Sequence, residues 1–554
     1  MSVALAADRT IVSRLRIRRS SVDPTLARLR AATLLSSAAL TPSGLSPAAI
    51  LIVRQLKDPM PGKLGLRSAA IRLPYEWEEA VRSQMAALTQ RALRPIRDAV
   101  SETAEAVLFA DHGELLACLA RDWLHGSVGR WWWQALFPDR ALAAAVVRAW
   151  LERADCIPAA MAHLAASGDE LAFVLRLEDE VRRTLLQSVL QVHGLRDLQS
   201  ALGPVVRSDN HASDRTALFE AVPQHRTDLR RSQERAKAPW SAQSGSQPGL
   251  GVVVEAFVGV CLALSKAPQR VRSRDFADQA RRWTEWQIGA ERASRETVAA
   301  PTMAPAIPPE LDRDALGPAE LEAGDGQGRP AMPAKEKPDS RRPRSAEPQR
   351  MRQAVHLADH PADEASEPLE LPAMESALQA RPVRVADELD EQRIDTQFGG
   401  VFLLINLGLF LELYGDFANP GRPGIELSIW DFIALLAENL LGPELRDEPV
   451  WSLLARLAGR RDREAPGRGL PGRRRLKRRL PFLRSRLRRA LGVATDVEVG
   501  SLLLRRAARV CVTPTRLDVS FSLAELPIEV RRSGLDRDPG WVPAAGRTIR
   551  FHFD

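Results

Sequence analysis

Apolar positions recur at two periods along the chain, and the change in period predicts its secondary structure. Between residues 74 and 194 they recur every three or four positions, as in 76–89, which is the spacing of an amphipathic helix. Pro74 stands where helices tend to begin, and Pro95 is expected to end or kink this first helix. The same spacing predicts further helices at about 97–109, 111–124, 140–153, 169–191 and 251–293.

Alternation of apolar and polar residues marks the two ends of the chain. Residues 11–19 alternate, 49–56 form an apolar run that ends in a Pro-Gly turn, and 66–73 resemble a third short strand. After residue 510 the period becomes two again, at 517–523, at Ile528 and Val530, and at 549–553. This pattern predicts a small antiparallel sheet that closes the chain.

Two apolar helices are predicted to open the C-terminal part. One covers most of 398–414 and the other 428–441, where Ser428 provides a helix cap. The apolar stretches 251–264 and 398–414 are both shorter than the roughly 20 residues that a membrane-spanning helix needs. We therefore read both as buried helices and expect no transmembrane segment.

A stretch without aromatic residues separates these two parts. None occurs from residue 287 to 397, and 14 of the 39 prolines fall within it. Such a segment buries too little apolar surface to offset its conformational entropy, so we expect a disordered linker.

The fold class is predicted as α+β, with a mainly helical N-terminal block, a long disordered linker, and a helical C-terminal block that ends in the small sheet. The boundaries are an N-terminal block at 1–205, a polar flexible insertion at 206–248, a helical segment at 249–293, the linker at 294–396 and the C-terminal block at 397–554.

Charge is concentrated in one place. The chain has a net charge of +8, and residues 460–491 carry 14 basic residues against two acids. A phosphate backbone or an acidic protein surface could bind there, and a solvated basic surface is the remaining interpretation. The segment contains only one aromatic residue, Phe482, which disfavours stacking of single-stranded bases. The densest candidates for partner binding are Arg473, Arg474, Arg475, Lys477, Arg478 and Arg479.

Three adjacent tryptophans are a second candidate site. Trp131, Trp132 and Trp133 point in three directions on a helix, so a single buried face cannot accept them all. Either the helix is deeply embedded in the core, or one ring remains available as an anchor for a protein partner.

Motifs that carry chemistry are weak. The sequence GRGLPG contains the glycine spacing of a dinucleotide-binding loop at Gly467, Gly469 and Gly472, but no strand precedes it. His112 and Glu114 lie two apart with no second histidine at ligand spacing, and the four cysteines are widely separated. We expect no metal, no cofactor and no enzyme, although a catalytic site assembled from distant residues stays open. The cysteine pattern and the lack of a signal-peptide core favour a cytoplasmic location.

Four stretches together resemble uncharacterised proteins encoded beside bacterial contractile injection systems, which are phage-tail-like particles. They are AILIVRQLKDPMPG (49–62), GRWWWQALF (129–137), FGGVFLLINLGLFLELYGDF (398–417) and VRRSGLDRDPGWVPAAGRTIRFHFD (530–554). The resemblance implies a role in assembly or cargo handling around a tail-like particle. We therefore expect a non-enzymatic assembly protein with protein partners, among them components of the particle, and keep a basic nucleic-acid-binding regulator as the alternative.

Overall fold

The structure, a computed structural model, describes the chain in segments. They are residues 11–12, 23–36, 38, 40–42, 44–63, 73–137, 142–206, 238–241, 251–299, 391–414, 425–461 and 464–553. Predicted features that lie outside them are the strands at 11–19 (beyond residue 12) and 66–73 (before Leu73) and most of the insertion and of the linker.

Helices dominate the N-terminal half. They are α1 (Pro24–Ser36), α2 (Tyr75–Arg91), α3 (His112–Leu124), α4 (Trp131–Leu136), α5 (Leu142–Glu152), α6 (Ile157–Ser167), α7 (Glu170–Arg176), α8 (Asp179–Val192), α9 (Arg196–Ala201), α10 (Gly203–Val206), α11 (Val252–Lys266), α12 (Pro268–Val271) and α13 (Arg274–Ala299). The predicted helices near 76–89, 111–124 and 140–153 are confirmed, and the one at 169–191 is divided into α7 and α8. The helix α2 ends at Arg91, before Pro95.

The helix predicted at 97–109 is wrong. The segment ends in strand β2 (Ala106–Phe109), which pairs antiparallel with β1 (Ile50–Val53). Val107 and Phe109 are fully buried on this strand. A short apolar run fits a buried strand as well as a buried helix, so periodicity alone does not separate the two.

The predicted polar insertion at 206–248 contains an anchor in the core. Most of it lies outside the described residues, but Trp240 is fully buried and its ring centroid lies 4.9 Å from that of Trp283. Gly259 makes room for this indole, because a Cβ atom there would lie 2.1 Å from its ring. A single tryptophan in a polar stretch carries no periodic pattern, so the sequence did not indicate this contact.

The C-terminal half combines helices with a five-stranded sheet. Its helices are α14 (Leu404–Phe410), α15 (Ile429–Leu441), α16 (Pro449–Leu457), α17 (Pro471–Leu491), α18 (Asp496–Val499) and α19 (Ile528–Ser533). Its strands are β3 (Gln392–Thr396), β4 (Ala508–Val512), β5 (Arg516–Phe521), β6 (Gly540–Val542) and β7 (Arg547–Phe553). A 3-10 helix at Gly399–Leu403 precedes α14, and the predicted cap of α15 is confirmed by a 3.2 Å hydrogen bond from the Trp430 amide to Ser428 Oγ.

The sheet is mixed, with strand order β3-β4-β5-β7-β6. Val519 of β5 lies opposite Phe551 of β7 in a parallel pair, and the other pairs are antiparallel. Parallel neighbours need a long crossover connection, and α19 lies within it. The fold class is therefore confirmed as helical with a small C-terminal sheet, with one parallel pair that the sequence did not predict.

Two boundaries of the prediction are corrected. Strand β3 belongs to the sheet, with Ile394 opposite Val510, although its residues were assigned to the linker at 294–396. At the other end of that range, α13 continues to Ala299. Residues 300–390, the body of the predicted linker, lie outside the described residues.

The strand predicted at Ile528 and Val530 is wrong, because these residues begin α19. The helix starts after Pro527 and ends at Gly534, whose φ of 70° is the left-handed conformation typical of a helix stop. Two apolar residues two positions apart are too few to fix a period, so the flanking proline and glycine are the informative signals.

Each half has its own apolar core, yet both halves belong to one compact unit. The described residues before 296 and those from 391 onward cluster together. Fully buried Leu119 and Phe257 represent the N-terminal core, and Phe432 and Val519 the C-terminal core. The sequence left the relative placement of these halves open, and the structure places them in direct contact.

Hydrogen bonds link the N-terminal half of the chain to the C-terminal half. We call the boundary that these bonds cross the seam. The Thr515 hydroxyl donates to Asp111 Oδ2 at 2.7 Å, and the Trp541 indole donates to the Val192 carbonyl at 3.1 Å. Arg516 Nη1 donates to the Pro47 carbonyl at 2.9 Å. These three hydrogen bonds therefore join the two halves directly.

Across the described segments, no helix is both long enough and apolar enough to cross a lipid bilayer.

Candidate docking surface on an arginine helix

The densest part of the basic segment forms the helix α17, Pro471–Leu491, which we call the arginine helix. Four leucines on one face bury it against the C-terminal core, and they are Leu476, Leu483, Leu487 and Leu491. Proline suits the first turn of a helix, and Gly492 ends it with a φ of 70°. The interpretation as a solvated basic surface placed a loop before a helix at 482–491; the helix instead starts at Pro471 and contains the exposed Pro481.

Glycines around the start of this helix fix its position. A Cβ atom on Gly472 would lie 2.3 Å from the Glu426 carbonyl oxygen, so only glycine fits there. The Gly467 amide donates to Asp431 Oδ2 at 3.0 Å, and Arg460 Nε donates to Asp431 Oδ1 at 2.8 Å. Burial raises the pKa of Asp431, and the contacts with Arg460 oppose that effect. These glycines therefore have a structural explanation.

The outward face of the arginine helix carries exposed positive charge. Arg474, Lys477, Arg478 and Arg479 are exposed, and none of them has an ion pair or a side-chain hydrogen bond within the described parts of the chain. Arg475 is also exposed and lies 3.9 Å from the exposed Glu426 carboxylate. An exposed pair of this kind contributes about 0–1 kcal/mol, so it leaves Arg475 available to a partner.

Arg473 differs from the other predicted candidates. It is half-buried on the side of the helix nearer the core, and the described residues offer no hydrogen-bond partner to its buried Nε atom. It therefore contributes less to the outward face than Arg474 and Arg478, which follow it one and five positions later.

Phe482 lies on this charged face. Its side chain is 52% exposed, and the Arg486 guanidinium lies 5.5 Å from the ring centroid. Helical spacing places Arg478, four residues before it, and Arg489, seven residues after it, on the same side of the helix. Sequence reasoning identified Phe482 only as an isolated aromatic residue; the leucine spacing of the helix could have placed it opposite the buried face.

A second helix extends the exposed basic residues. The short helix α19 packs against the arginine helix and exposes Ile528, Arg531 and Arg532. Neither arginine side chain has a hydrogen bond or an ion pair within the described segments. The "basic surface" consists of Arg474, Arg475, Lys477, Arg478, Arg479, Phe482, Arg486, Arg489, Ile528, Arg531 and Arg532.

On one flank of the arginine helix, Asp496 neutralises part of the positive charge. Asp496 forms an ion pair with Arg484, and Arg488 Nε lies 3.7 Å from the same carboxylate. Both arginines are half-buried, in contrast to Arg478 and Arg479. The charge that remains for a partner is therefore concentrated on the exposed side.

The three tryptophans belong to the core of the N-terminal half. Trp132 and Trp133 are almost fully buried, which removes both as surface anchors. The Trp133 indole donates to Asp122 Oδ2 at 2.7 Å, and Arg130 lies over the Trp132 ring at 5.2 Å. Trp131 is half-buried and packs against the same core, so the deeply embedded alternative describes this helix best.

Asp111 and Glu114, which lie close to His112 in the sequence, make structural contacts. Glu114 is buried, forms an ion pair with Arg94, and accepts a 3.0 Å hydrogen bond from the Ala110 amide. Asp111 accepts the Glu114 amide at 3.0 Å and so caps α3, while its other oxygen accepts the Thr515 hydroxyl. Both buried carboxylates therefore have structural partners that account for their burial.

Burial shifts the pKa values of the ionisable groups at the seam, and at Asp111 hydrogen bonding opposes the effect of burial. Burial alone would raise the pKa of Asp111, but hydrogen bonds from Thr515 and the Glu114 amide outweigh it and lower the pKa. For His193, which packs edge-on against Trp541 at 5.0 Å, burial and then Arg272 lower the pKa to about 4. Burial also lowers the pKa of His112 to about 4. The seam therefore favours an ionised aspartate and neutral histidines.

The described residues contain no group of three or more His, Cys, Asp or Glu side chains that could hold a metal ion. All four cysteines are buried and free.

Comparisons with protein-family models, with curated proteins and with solved structures find no match for the chain. The functional argument therefore rests on the residues of the chain itself.

Proposed function

We propose that the chain is a non-enzymatic assembly protein of a bacterial contractile injection system that binds an acidic protein surface through the arginine helix. The observation that carries the proposal is the outward face of that helix. Its leucines are buried, so the helix is held in place, while Arg474, Arg478 and Arg479 remain exposed and without an acidic partner among the described residues. A prepositioned charged face of this kind favours rapid and selective association with an oppositely charged surface.

The use of the buried ionisable groups supports a binding role over catalysis. Asp111 caps a helix and joins the two halves, Glu114 is paired with Arg94, and Asp431 is paired with Arg460. Each of these carboxylates has a structural partner that accounts for its burial. The injection-system setting comes from the four resembling stretches, and a cytoplasmic location goes with it.

Binding to the particle's own components tests the proposal. The tagged chain would be mixed with separately purified tube, sheath and baseplate proteins encoded in the same genome, and dissociation constants would be measured in moderate salt. We expect one component to bind, and the triple variant Arg474→Glu, Arg478→Glu, Arg479→Glu to bind it about tenfold or more weakly.

A matched control separates a local effect from a change in net charge. Arg28, Arg196 and Arg282 are exposed, lie outside the basic surface, and have no ion pair within the described segments. Reversing these three charges should leave the affinity within about twofold. Equal weakening by both triple variants, or binding by no component, would contradict the proposal.

A nucleic-acid-binding regulator is the second candidate, favoured by the same unpaired arginines. Phosphate binding predicts an affinity for duplex DNA that falls steeply as salt rises, because each neutralised phosphate releases counterions. Loss of DNA binding in the Arg474, Arg478, Arg479 variant, together with no binding to particle components, would favour this candidate.

A further inference from the structure

We infer that the partner contacts both helices of the basic surface and is an acidic protein surface with apolar sites for Phe482 and Ile528. This inference rests on the proposed binding role of the arginine helix and specifies the chemistry of the partner. The observation behind it is the pairing of exposed apolar side chains with unpaired arginines on two adjacent helices.

The apolar side chains decide between a protein and a phosphate backbone. Phe482 is 52% exposed and Ile528 is 55% exposed, and neither is needed to bind phosphate oxygens. In protein interfaces, by contrast, aromatic side chains and arginines are enriched together at the buried centre. The use of arginine rather than lysine on this surface does not itself favour either kind of partner. Arginine predominates throughout the chain, which has only seven lysines.

The geometry limits the shape of the partner. The charged face from Arg474 to Arg489 spans about 22 Å along the helix axis, because each helical residue rises about 1.5 Å. Phe482 lies near the middle of this length, with Arg478 and Arg486 four residues to either side. The complementary surface therefore has carboxylates on both sides of a central apolar site, as an acidic amphipathic helix does.

Defined peptides can test this chemistry in the full-length protein. The first probe is a 21-residue helical peptide, as long as the arginine helix, with glutamates on both sides of a central leucine pair. The second has the same composition in scrambled order, the third is polyglutamate of equal charge, and the fourth is a DNA duplex of about 20 base pairs. Fluorescence anisotropy would give the dissociation constant of each.

We expect the patterned peptide to bind about tenfold more tightly than the scrambled one, because only the former places its leucines over Phe482. Phe482→Ser and Ile528→Ser should each remove most of this difference. Phe410→Ser is the matched control, since Phe410 is 78% exposed and lies outside the basic surface, and it should leave the difference unchanged.

Several outcomes would overturn the inference. Equal affinity for the patterned and scrambled peptides, tighter binding of the duplex than of either peptide, or no effect of Phe482→Ser would each show that charge alone determines binding. Amide-exchange protection confined to the arginine helix would exclude the contribution of α19. Tighter binding of the patterned peptide, with no binding to any particle component, would contradict only the injection-system role. Failure of the inference and failure of the proposed function are therefore distinguishable.

Discussion

Gly472 allows the start of the arginine helix to pack against the backbone of Glu426. An alanine there would bring its Cβ within 2.3 Å of the Glu426 carbonyl oxygen, a backbone atom that cannot rotate away. Although alanine is the better helix former, we expect Gly472→Ala to lower the free energy of unfolding by about 1–3 kcal/mol. Chemical denaturation would measure it.

Gly289 provides the control for this prediction. It lies in α13, and a Cβ atom added there would have no neighbouring heavy atom within 4 Å. Gly289→Ala should therefore raise the free energy of unfolding by up to about 1 kcal/mol, because alanine is the better helix former. A stabilising effect of the same size at Gly472 would mean that Glu426 does not block the site.

His193 makes stability depend on pH. In the unfolded chain it binds a proton with a pKa near 6.5, whereas burial lowers its pKa in the folded protein to about 4. The unfolded state therefore binds more protons in this range, so stability falls as pH drops from 6.5 towards 4, by on the order of 3 kcal/mol at most. The lowered pKa of Asp111 contributes stability above pH 3.8 and adds little within this window.

The variant His193→Phe tests this prediction by denaturation at pH 7, 6 and 5. It keeps a ring against Trp541 but has no proton to gain, so its stability should fall less over the range than that of the original protein. His112 should supply a remaining slope of the same sign, because burial lowers its pKa too. Identical slopes in variant and original would rule out His193 as the source.

Pro481 removes one backbone hydrogen bond from the arginine helix. It lies inside the helix and is exposed, so the Lys477 carbonyl lacks the amide donor that an ordinary residue would provide. We expect Pro481→Ala to raise the free energy of unfolding by about 1–3 kcal/mol and to increase helicity by circular dichroism. Pro471→Ala is the control, and at the first helical position it should change stability little. A loss of stability in Pro481→Ala would mean that the leucines need a bend there.

Sequence patterns predicted the elements whose signals are local. The serine cap and apolar period of α15 determine its limits, and the alternation in β5 identifies a strand. The arginine helix was only half predicted, because only 482–491 was expected to be helical, although the leucine spacing continues from Leu476 to Leu491. Strand β3 has one apolar residue, Ile394, between polar neighbours, so its strand character comes from pairing with β4.

The sequence predicted the positive charge of the candidate surface but not all of the residues that form it. Arg474, Arg478 and Arg479 lie on the exposed face as their density suggested. Trp132 and Trp133 were candidates because adjacent tryptophans are unusual, yet burial and the Asp122 hydrogen bond account for them. Ile528 and Arg532 were missed, because their position beside the arginine helix follows from tertiary packing alone.

At the scale of the whole molecule, the seam predicts that the two halves stay together when the chain between them is cut. A protease site inserted between Gly328 and Arg329 would allow cleavage after folding. We expect the fragments to elute together in gel filtration, because residues on both sides of 296–379 belong to one unit. Fragments that separate at once in native buffer would contradict this.

Thr515→Val identifies the contribution of the seam to this association. The substitution keeps the side-chain volume but removes the hydroxyl that donates to the buried Asp111 carboxylate. We expect it to weaken fragment association by about 1–3 kcal/mol. Thr103→Val, at an exposed position outside the seam, is the control and should have little effect.

The seam also has a consequence for synthesis on the ribosome. Asp111 and Thr515 are 404 residues apart in sequence, so at about 5–20 residues per second the aspartate emerges roughly 20–80 s before its partner. The N-terminal core is complete without the C-terminal half, since its members all precede residue 296. During that interval the waiting surface presents hydrogen-bonding groups that water can satisfy. A nascent chain of this design can therefore fold its N-terminal core before the partner of Asp111 has been synthesised.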